Sequence, residues 1–185
     1  TRMKSPLPKI LHSVAGQTMI ESVIEKAQTL RSQKTVLVVP KENQKIRESL
    51  KQYKNVNYAV QNPPKGTAHA VMQALPELSK QEGDVIILYG DMPLVTLETL
   101  KELLAEHRDQ NVNFTFVTSH LEHPFGYGRV IRDADGQPIS VVEEKDATDE
   151  QKNINEVNVG IYVANLKFLR EALKNIKSQN AQNEF

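Results

Sequence analysis

The stretch DVIILYGDMPL, residues 84–94, decides the fold. Val85, Ile86, Ile87 and Leu88 form an uninterrupted apolar run, the pattern of a strand covered on both faces as in a parallel sheet, without the alternation of a strand that has one wet face. The run predicts the central strand of an α/β domain. Gly90 breaks it, Asp91 offers a carboxylate just past its carboxyl end, and Pro93 forbids the ladder to continue. Open α/β sheets hold ligands at that end of their strands. On this stretch alone, the simpler reading of Asp91 is a turn cap beside a glycine.

Working outward, residues 35–39 (TVLVV) predict a buried strand. A more polar helix through Ile46 and Leu50 and a short strand at 56–60 follow, which together make a βαβ unit. Before it, Thr18 with Glu21 is a capping box. It opens an amphipathic helix that turns Ile20, Val23, Ile24, Ala27 and Leu30 toward the sheet. After it, Thr96 caps a helix striped with Leu97, Leu100, Leu103 and Leu104, predicting a second crossover to a strand at 113–118. Asp135 and Gly136 close a hairpin with 138–142, residues 158–163 read as a strand, and 166–176 as an amphipathic helix. These elements predict one α/β domain with a Rossmann-like, mixed and mainly parallel sheet flanked by helices, to which antiparallel strands are added.

The 185 residues suit a single domain with a real core. Lys plus Arg and Asp plus Glu both number 23, so no overall basic field points to nucleic acid or a membrane surface, and any anion site is local. The absence of cysteine removes disulfides, thiolate metal sites and a thiol nucleophile, and is compatible with the cytosol. No apolar run is long enough to span a bilayer, and no secretory core stands at the start. The opening TRMKSPLPKILH has neither an initiator Met nor a leading apolar strand, and residues 178–183 are polar without a stop signal. Missing material is therefore expected at both ends.

Several segments can carry chemistry. Pro6 and Pro8 stiffen a loop bearing Arg2, Lys4 and Lys9, which suits an anion, although a solvated basic turn is the simpler alternative. In QNPPKGTAHAVMQAL, residues 61–75, Pro63 and Pro64 stop a strand and Gly66 permits an unusual backbone. Thr67 is predicted to cap a helix whose amides suit an anion or a base edge. The spacing is not that of a P-loop. His69 is read as a packed or solvated residue, and His120 and His123, beside Pro124, as a surface turn without metal. FGYGRVI, residues 125–131, runs from glycines into a strand, so the dinucleotide fingerprint is not met; these glycines admit a close backbone approach or a bulge. Glu143, Glu144 and Lys145 read as a solvated strand end.

TRMKSPLPKILH, QNPPKGTAHAV, LYGDMPL, FGYGRVI, VVEEKDAT and EVNVGIY occur in the order in which similar stretches occur in N-acetylglucosamine-1-phosphate uridylyltransferases. These are the nucleotidyltransferase halves of bifunctional bacterial enzymes, and the resemblance covers nearly the whole chain. It implies a sugar nucleotidyltransferase fold, UTP and N-acetylglucosamine-1-phosphate as substrates, Mg²⁺ as cofactor and a cytoplasmic setting. It also implies a homotrimeric parent, with the left-handed β-helix acetyltransferase half lying outside this sequence. By resemblance, Thr1 and Arg2 end a phosphate-wrapping loop, and Arg2 and Lys9 act on the phosphates. Gln61, Gly66 and Thr67 hold the uracil end, flanked by Tyr89 and Gly90. Asp91 binds the metal, and Gly128, Glu143 and Asn158 contact the N-acetylglucosamine moiety. A second metal ligand, an asparagine, would lie beyond Phe185. The implied reaction needs no Ser-His-Asp or Cys-His apparatus, because a sugar phosphate is already anionic near neutral pH, and none is visible. A nucleotidyltransferase of other base or sugar preference and a non-catalytic nucleotide-binding module are the alternatives.

Overall fold

The computed structural model describes residues 4–176. Strands β1 (Ser13–Val14) and β2 (Gln17–Thr18) form a small hairpin turned by Ala15 and Gly16, both at positive φ, as two-residue hairpin loops require. The hairpin delivers Thr18 to the start of α1 (Met19–Thr29), where the expected capping box is present. Thr18 Oγ1 accepts from the Glu21 amide, and Glu21 accepts from the Thr18 amide. Helix α1 buries Met19, Ile20, Val23, Ile24 and Ala27. Its isoleucines share a core with Val39 of β3 (Thr35–Val39), Ile46 of α2 (Gln44–Ser49) and Val56 of β4 (Val56–Val60). Strands β3 and β4 pair in parallel from Thr35↔Val56 to Val39↔Val60, the expected βαβ unit.

Helix α3 (Thr67–Ala74) leads to β5 (Asp84–Ile87), then α4 (Leu97–Asp109), β6 (Phe114–His120), β7 (Arg129–Arg132), β8 (Pro138–Val142), α5 (Asp149–Lys152), β9 (Glu156–Asn165) and α6 (Leu166–Asn175). Strand β5 is covered on both faces, as its composition predicts. Ile86 and Leu88 pack with Leu100, Leu103, Ile161 and Val163, whereas Val85 and Ile87 pack with α3 residues, Ala164, Leu169 and Leu173.

The sheet order departs from expectation. Strand β5 pairs antiparallel with β9, from Asp84↔Asn165 to Ile87↔Tyr162, and β9 holds the middle place. Strand β6 lies antiparallel along the other edge of β9, so β5 and β6 run the same way with β9 between them. Strand β7 joins β9 at Arg129↔Val157 and hairpins onto β8. The fold is mixed α/β, but among the described residues only β3 and β4 pair in parallel. An apolar run reports that both faces are covered and carries no information on which way the neighbours run. Among the described residues no helix is long and apolar enough to cross a membrane.

Strands β7 and β9 are also joined by side chains. Arg132 donates from Nε to Glu156 Oε2 at 2.8 Å and from Nη2 to Oε1 at 2.7 Å, a two-pronged pair that few geometries allow. The guanidinium brings the Glu156 carboxyl down to about 2. A depressed folded-state value gives stability that is fully present above the unfolded value of about 4.3 and is lost as the pH falls toward 2. Arg132→Ala is expected to raise the midpoint of acid unfolding by about one pH unit, followed by circular dichroism. An unmoved midpoint would show that the pair contributes nothing to acid stability.

Candidate functional site

The site forms where β5 ends. Leu88 still lies in the core, and Tyr89, Gly90 and Asp91 follow as the chain turns. A Cβ on Gly90 would lie 2.9 Å from Ile20 Cδ1 and 3.4 Å from Ile10 Cγ2, so the backbone here runs close under α1 and the short 3₁₀ turn Lys9–Leu11, and a larger residue would have to displace the Ile20 methyl. That passage sets Asp91 Oδ2 at 2.5 Å from Lys9 Nζ, with the Asp91 side chain 29% exposed. Beyond Asp91, the Pro93 carbonyl accepts from Ser22 Oγ at 3.2 Å and from Lys26 Nζ at 2.9 Å, tying the turn to α1. Asp91 is thus an ion-pair partner held in place on both sides.

On one flank stands the start of α3. Gln61 leaves β4 with its amide donating to the Val39 carbonyl, and its side-chain Nε2 donates to the Gly66 carbonyl at 3.0 Å. Gly66, at φ 89°, is the residue that starts the helix. Thr67 is therefore not the cap that the sequence suggests. Because Gly66 takes the capping place with a backbone that side chains resist, the Thr67 hydroxyl is free to meet the Tyr89 hydroxyl at 2.7 Å.

On the other flank stands the middle of β9. Between Asn158 and Tyr162 four steps of β9 face only two steps of β6, from Thr118 to Phe116, so the strand bulges around Gly160 at φ 87°. Four residues of regular strand span about 13 Å. Here Asn158 Nδ2 donates to the Tyr162 hydroxyl at 2.8 Å, and Asn158 Oδ1 accepts from the Gly160 amide at 3.0 Å. Burial pushes the Tyr162 hydroxyl above its ordinary range, while the bond from Asn158 opposes the shift and the nearby Tyr89 adds to it. The Tyr89 ring sits directly on Gly160, where a Cβ would come within 2.2 Å of Cε2.

The same edge of β9 carries the carboxyl end of β5 and the amino end of β7, with residues 158–161 between them. There the Asn158 amide donates to the Gly128 carbonyl at 2.9 Å. A Cβ on Gly128 would lie 3.0 Å from Glu143 Oε1, so Gly128, Glu143 and Asn158 come together. Arg129 is 2% exposed and pairs with Glu144 at 2.7 Å, with further bonds to the Tyr127 and Lys152 carbonyls. Glu144 also accepts from the Gly126 amide at 3.2 Å. The Arg129 guanidinium, and then that amide, holds its carboxyl below the usual range. Glu144 is therefore a clamp on the glycine loop, where the sequence reads as a solvated rim.

Of the residues singled out in the sequence, Gln61, Gly66, Thr67 and Tyr89 form one group, and Gly128, Glu143 and Asn158 a second. Gly90, Asp91 and Lys9 form a third, continuous with Tyr89 along the chain. Thr1 and Arg2 lie outside the described residues. Sequence reading overlooked Tyr162 and passed over His69. Tyr162 carried no local signal, because only the bulge brings it to Asn158. His69 lies one helical turn from the cap, with Nδ1 at 3.1 Å from Gln61 Nε2. Among the described residues no cluster of three or more His, Cys, Asp or Glu could by itself hold a metal ion. Asp91 offers a lone carboxylate with one oxygen engaged by Lys9.

The nucleotidyl transferase family model matches residues 4–185. Curated relatives include the bifunctional protein GlmU of Thermoanaerobacter pseudethanolicus, 45% identical over 184 residues that take in 100% of this chain and 40% of that protein. The bifunctional protein GlmU of Streptococcus suis is 43% identical over 185 residues, again 100% of this chain and 40% of the relative. The chain thus spans about two-fifths of the length of the curated relatives it matches. Among solved structures, a UDP-glucose pyrophosphorylase complexed with UDP-glucose is similar at a TM-score of 0.75 and 15% identity, over 99% of this chain and 78% of that one. HddC from Yersinia pseudotuberculosis is similar at 0.67 and 17%, over 98% and 74%. At these identities the structural likeness shows the fold alone.

The close seat of Tyr89 gives a direct test. Gly160→Ala places a side chain both at positive φ and inside the ring, and is expected to lower the unfolding free energy by at least about 1–2 kcal/mol from backbone strain alone. It should also shift the Tyr89 ring resonances in an aromatic NMR spectrum. Unchanged stability with unchanged resonances would show that the ring does not rest on Gly160.

Proposed function

The chain belongs to the nucleotidyl transferase family, and we propose that its site joins UTP to N-acetylglucosamine-1-phosphate, with release of pyrophosphate. The observation that carries this reading is the convergence of two polar groups on Tyr89, beside a paired lysine and aspartate. Gln61, Gly66 and Thr67 present amide and hydroxyl groups of the kind a base edge needs. Across Tyr89, the Gly128, Glu143 and Asn158 group presents the amide and carboxylate partners that sugar hydroxyls and an acetamido group need. Asp91 and Lys9 stand next along the chain, where phosphates joining base and sugar would pass. The stretches shared with N-acetylglucosamine-1-phosphate uridylyltransferases support the same substrates.

The chemistry asks little of the protein beyond alignment and charge. A phosphate oxygen of the sugar-1-phosphate, ionised near neutral pH because its second pKa is about 6, forms a bond to the α-phosphorus of UTP. The bond from that phosphorus to the bridging oxygen of the β-phosphate breaks, and pyrophosphate leaves with the electron pair. No general base is required. Lys9, together with Arg2, neutralises and aligns the phosphates. Asp91 would hold Mg²⁺, a hard ion that commonly takes one or two carboxylate oxygens and completes its shell with water and phosphate, where it supplies further charge neutralisation. A single carboxylate with one oxygen already on Lys9 fits that modest demand. The parent protein is proposed to be cytoplasmic and homotrimeric, with acetyl transfer to glucosamine-1-phosphate in a separate left-handed β-helix domain.

In the full-length protein, Asp91→Asn is expected to leave the thermal midpoint within a few degrees. It should lower Mg²⁺-dependent pyrophosphate release by about 10²–10³-fold, and Lys9→Ala should lower kcat/KM at least about tenfold. The assay runs UTP and N-acetylglucosamine-1-phosphate beside CTP and other sugar phosphates. Full activity of Asp91→Asn would take Asp91 out of the mechanism, and preference for another base and sugar would overturn the substrate assignment.

A further inference from the structure

Chemistry settles which way the Gln61 carboxamide faces. The Gly66 carbonyl can only accept, so the Gln61 atom 3.0 Å from it must be the amino group. That group has a second hydrogen, and His69 Nδ1 lies 3.1 Å away. Nδ1 accepts it only in the neutral ring whose proton is on Nε2. Nε2 then carries the proton and lies 3.2 Å from Gln73 Nε2, one helical turn on. Two donors do not pair, so the Gln73 carboxamide, whose O and N are interchangeable by a flip, is turned to offer its carbonyl oxygen to that proton. The Gly66 carbonyl is itself held by the Ala70 amide at 3.2 Å, within the first turn of α3. With both hydrogens of its amino group engaged, Gln61 has its carbonyl oxygen left as the group it can offer a ligand.

We propose that His69 is a positioning residue that locks the plane of the Gln61 carboxamide, so that the site accepts a base with an imide N–H and discriminates against cytosine. The proposal rests on the reading that Gln61 faces the base. A fixed carbonyl acceptor pairs with the N3–H of uracil, whereas cytosine presents an acceptor at N3 and an amino group at C4. Gly66 alone defines which end of the amide points inward, and His69 supplies the second contact that stops it swinging. The side chain touches no substrate in this scheme and acts only through Gln61.

The test measures KM, kcat and the UTP:CTP preference in the full-length protein. His69→Ala and His69→Leu both remove the acceptor, and either serves if the other does not fold. Each is expected to raise the KM for UTP and reduce the preference for UTP over CTP by about tenfold, the factor a hydrogen bond of typical strength is worth. Meanwhile kcat should stay within about threefold, as for lost uniform binding. His69→Asn, whose side-chain oxygen can accept in place of Nδ1, is expected to restore the preference. If the unmodified protein prefers UTP and the acceptor-less variants keep that preference, or if Asn rescues nothing, the role of His69 is overturned while the reading of Gln61 stands. If the unmodified protein does not prefer UTP, the reading of Gln61 fails and this inference falls with it.

Discussion

An extended strand keeps the backbones of residues four apart well beyond hydrogen-bonding distance, and β9 brings two such side chains into contact where a bulge at one glycine interrupts its regular run. Gly160 adopts a backbone that other residues resist, and the local slip against β6 follows from it. One flank of the site depends on this irregularity. Asn158 reaches Tyr162, the edge of β9 opens between β5 and β7, and the ring of Tyr89 finds a flat place to rest. A regular strand here would extend one ladder across the gap and leave no room for three loops to meet.

A second constraint works from below. A guanidinium sealed from solvent must be paired and hydrogen-bonded, and Arg129 draws its partners from three separate places. These are the carboxylate of Glu144 after β8, the carbonyl of Tyr127 in the glycine loop, and the carbonyl of Lys152 at the end of α5. The loop cannot drift without exposing or stranding the charge. Gly128 and Glu143 owe their positions to this arrangement, since each is the immediate neighbour of a residue in it. The site is therefore braced by a group that takes no part in its surface.

What could be read from the sequence is what local chemistry writes there. Four apolar residues in a row announce a strand covered on both faces, and the spacing of Thr18 and Glu21 announces a helix start, because each signal is complete within a few positions. Strand direction is not written locally. The partner of β5 lies far along the chain, so β5 was expected at the centre of a parallel sheet and β9 took that place. Asp91 and Lys9 were each legible as a loose charge, whereas their pairing across 82 positions was not. Glu144 and Tyr162 had no signal at all, one needing a buried arginine and the other a bulge. Thr67 reads as a cap because a propensity for side-chain capping says nothing of a preceding glycine with positive φ, and Gly66 takes that place. The grouping of site residues by role came from shared stretches of sequence, not from any periodicity.

The seat of Tyr89 has a consequence for how a ligand is received. An aromatic side chain at the mouth of a cleft usually samples several rotamers and must be stilled when something binds, at a cost in entropy. Tyr89 is 38% exposed, yet its ring lies against Gly160 and its hydroxyl is tied to Thr67. Its ordering is completed during folding, as part of packing β5 against β9. A molecule entering between the two flanks meets a wall that is already still, so less of its interaction energy is consumed in arranging the protein. In this domain, preorganisation of the site is a property of where the sheet is interrupted.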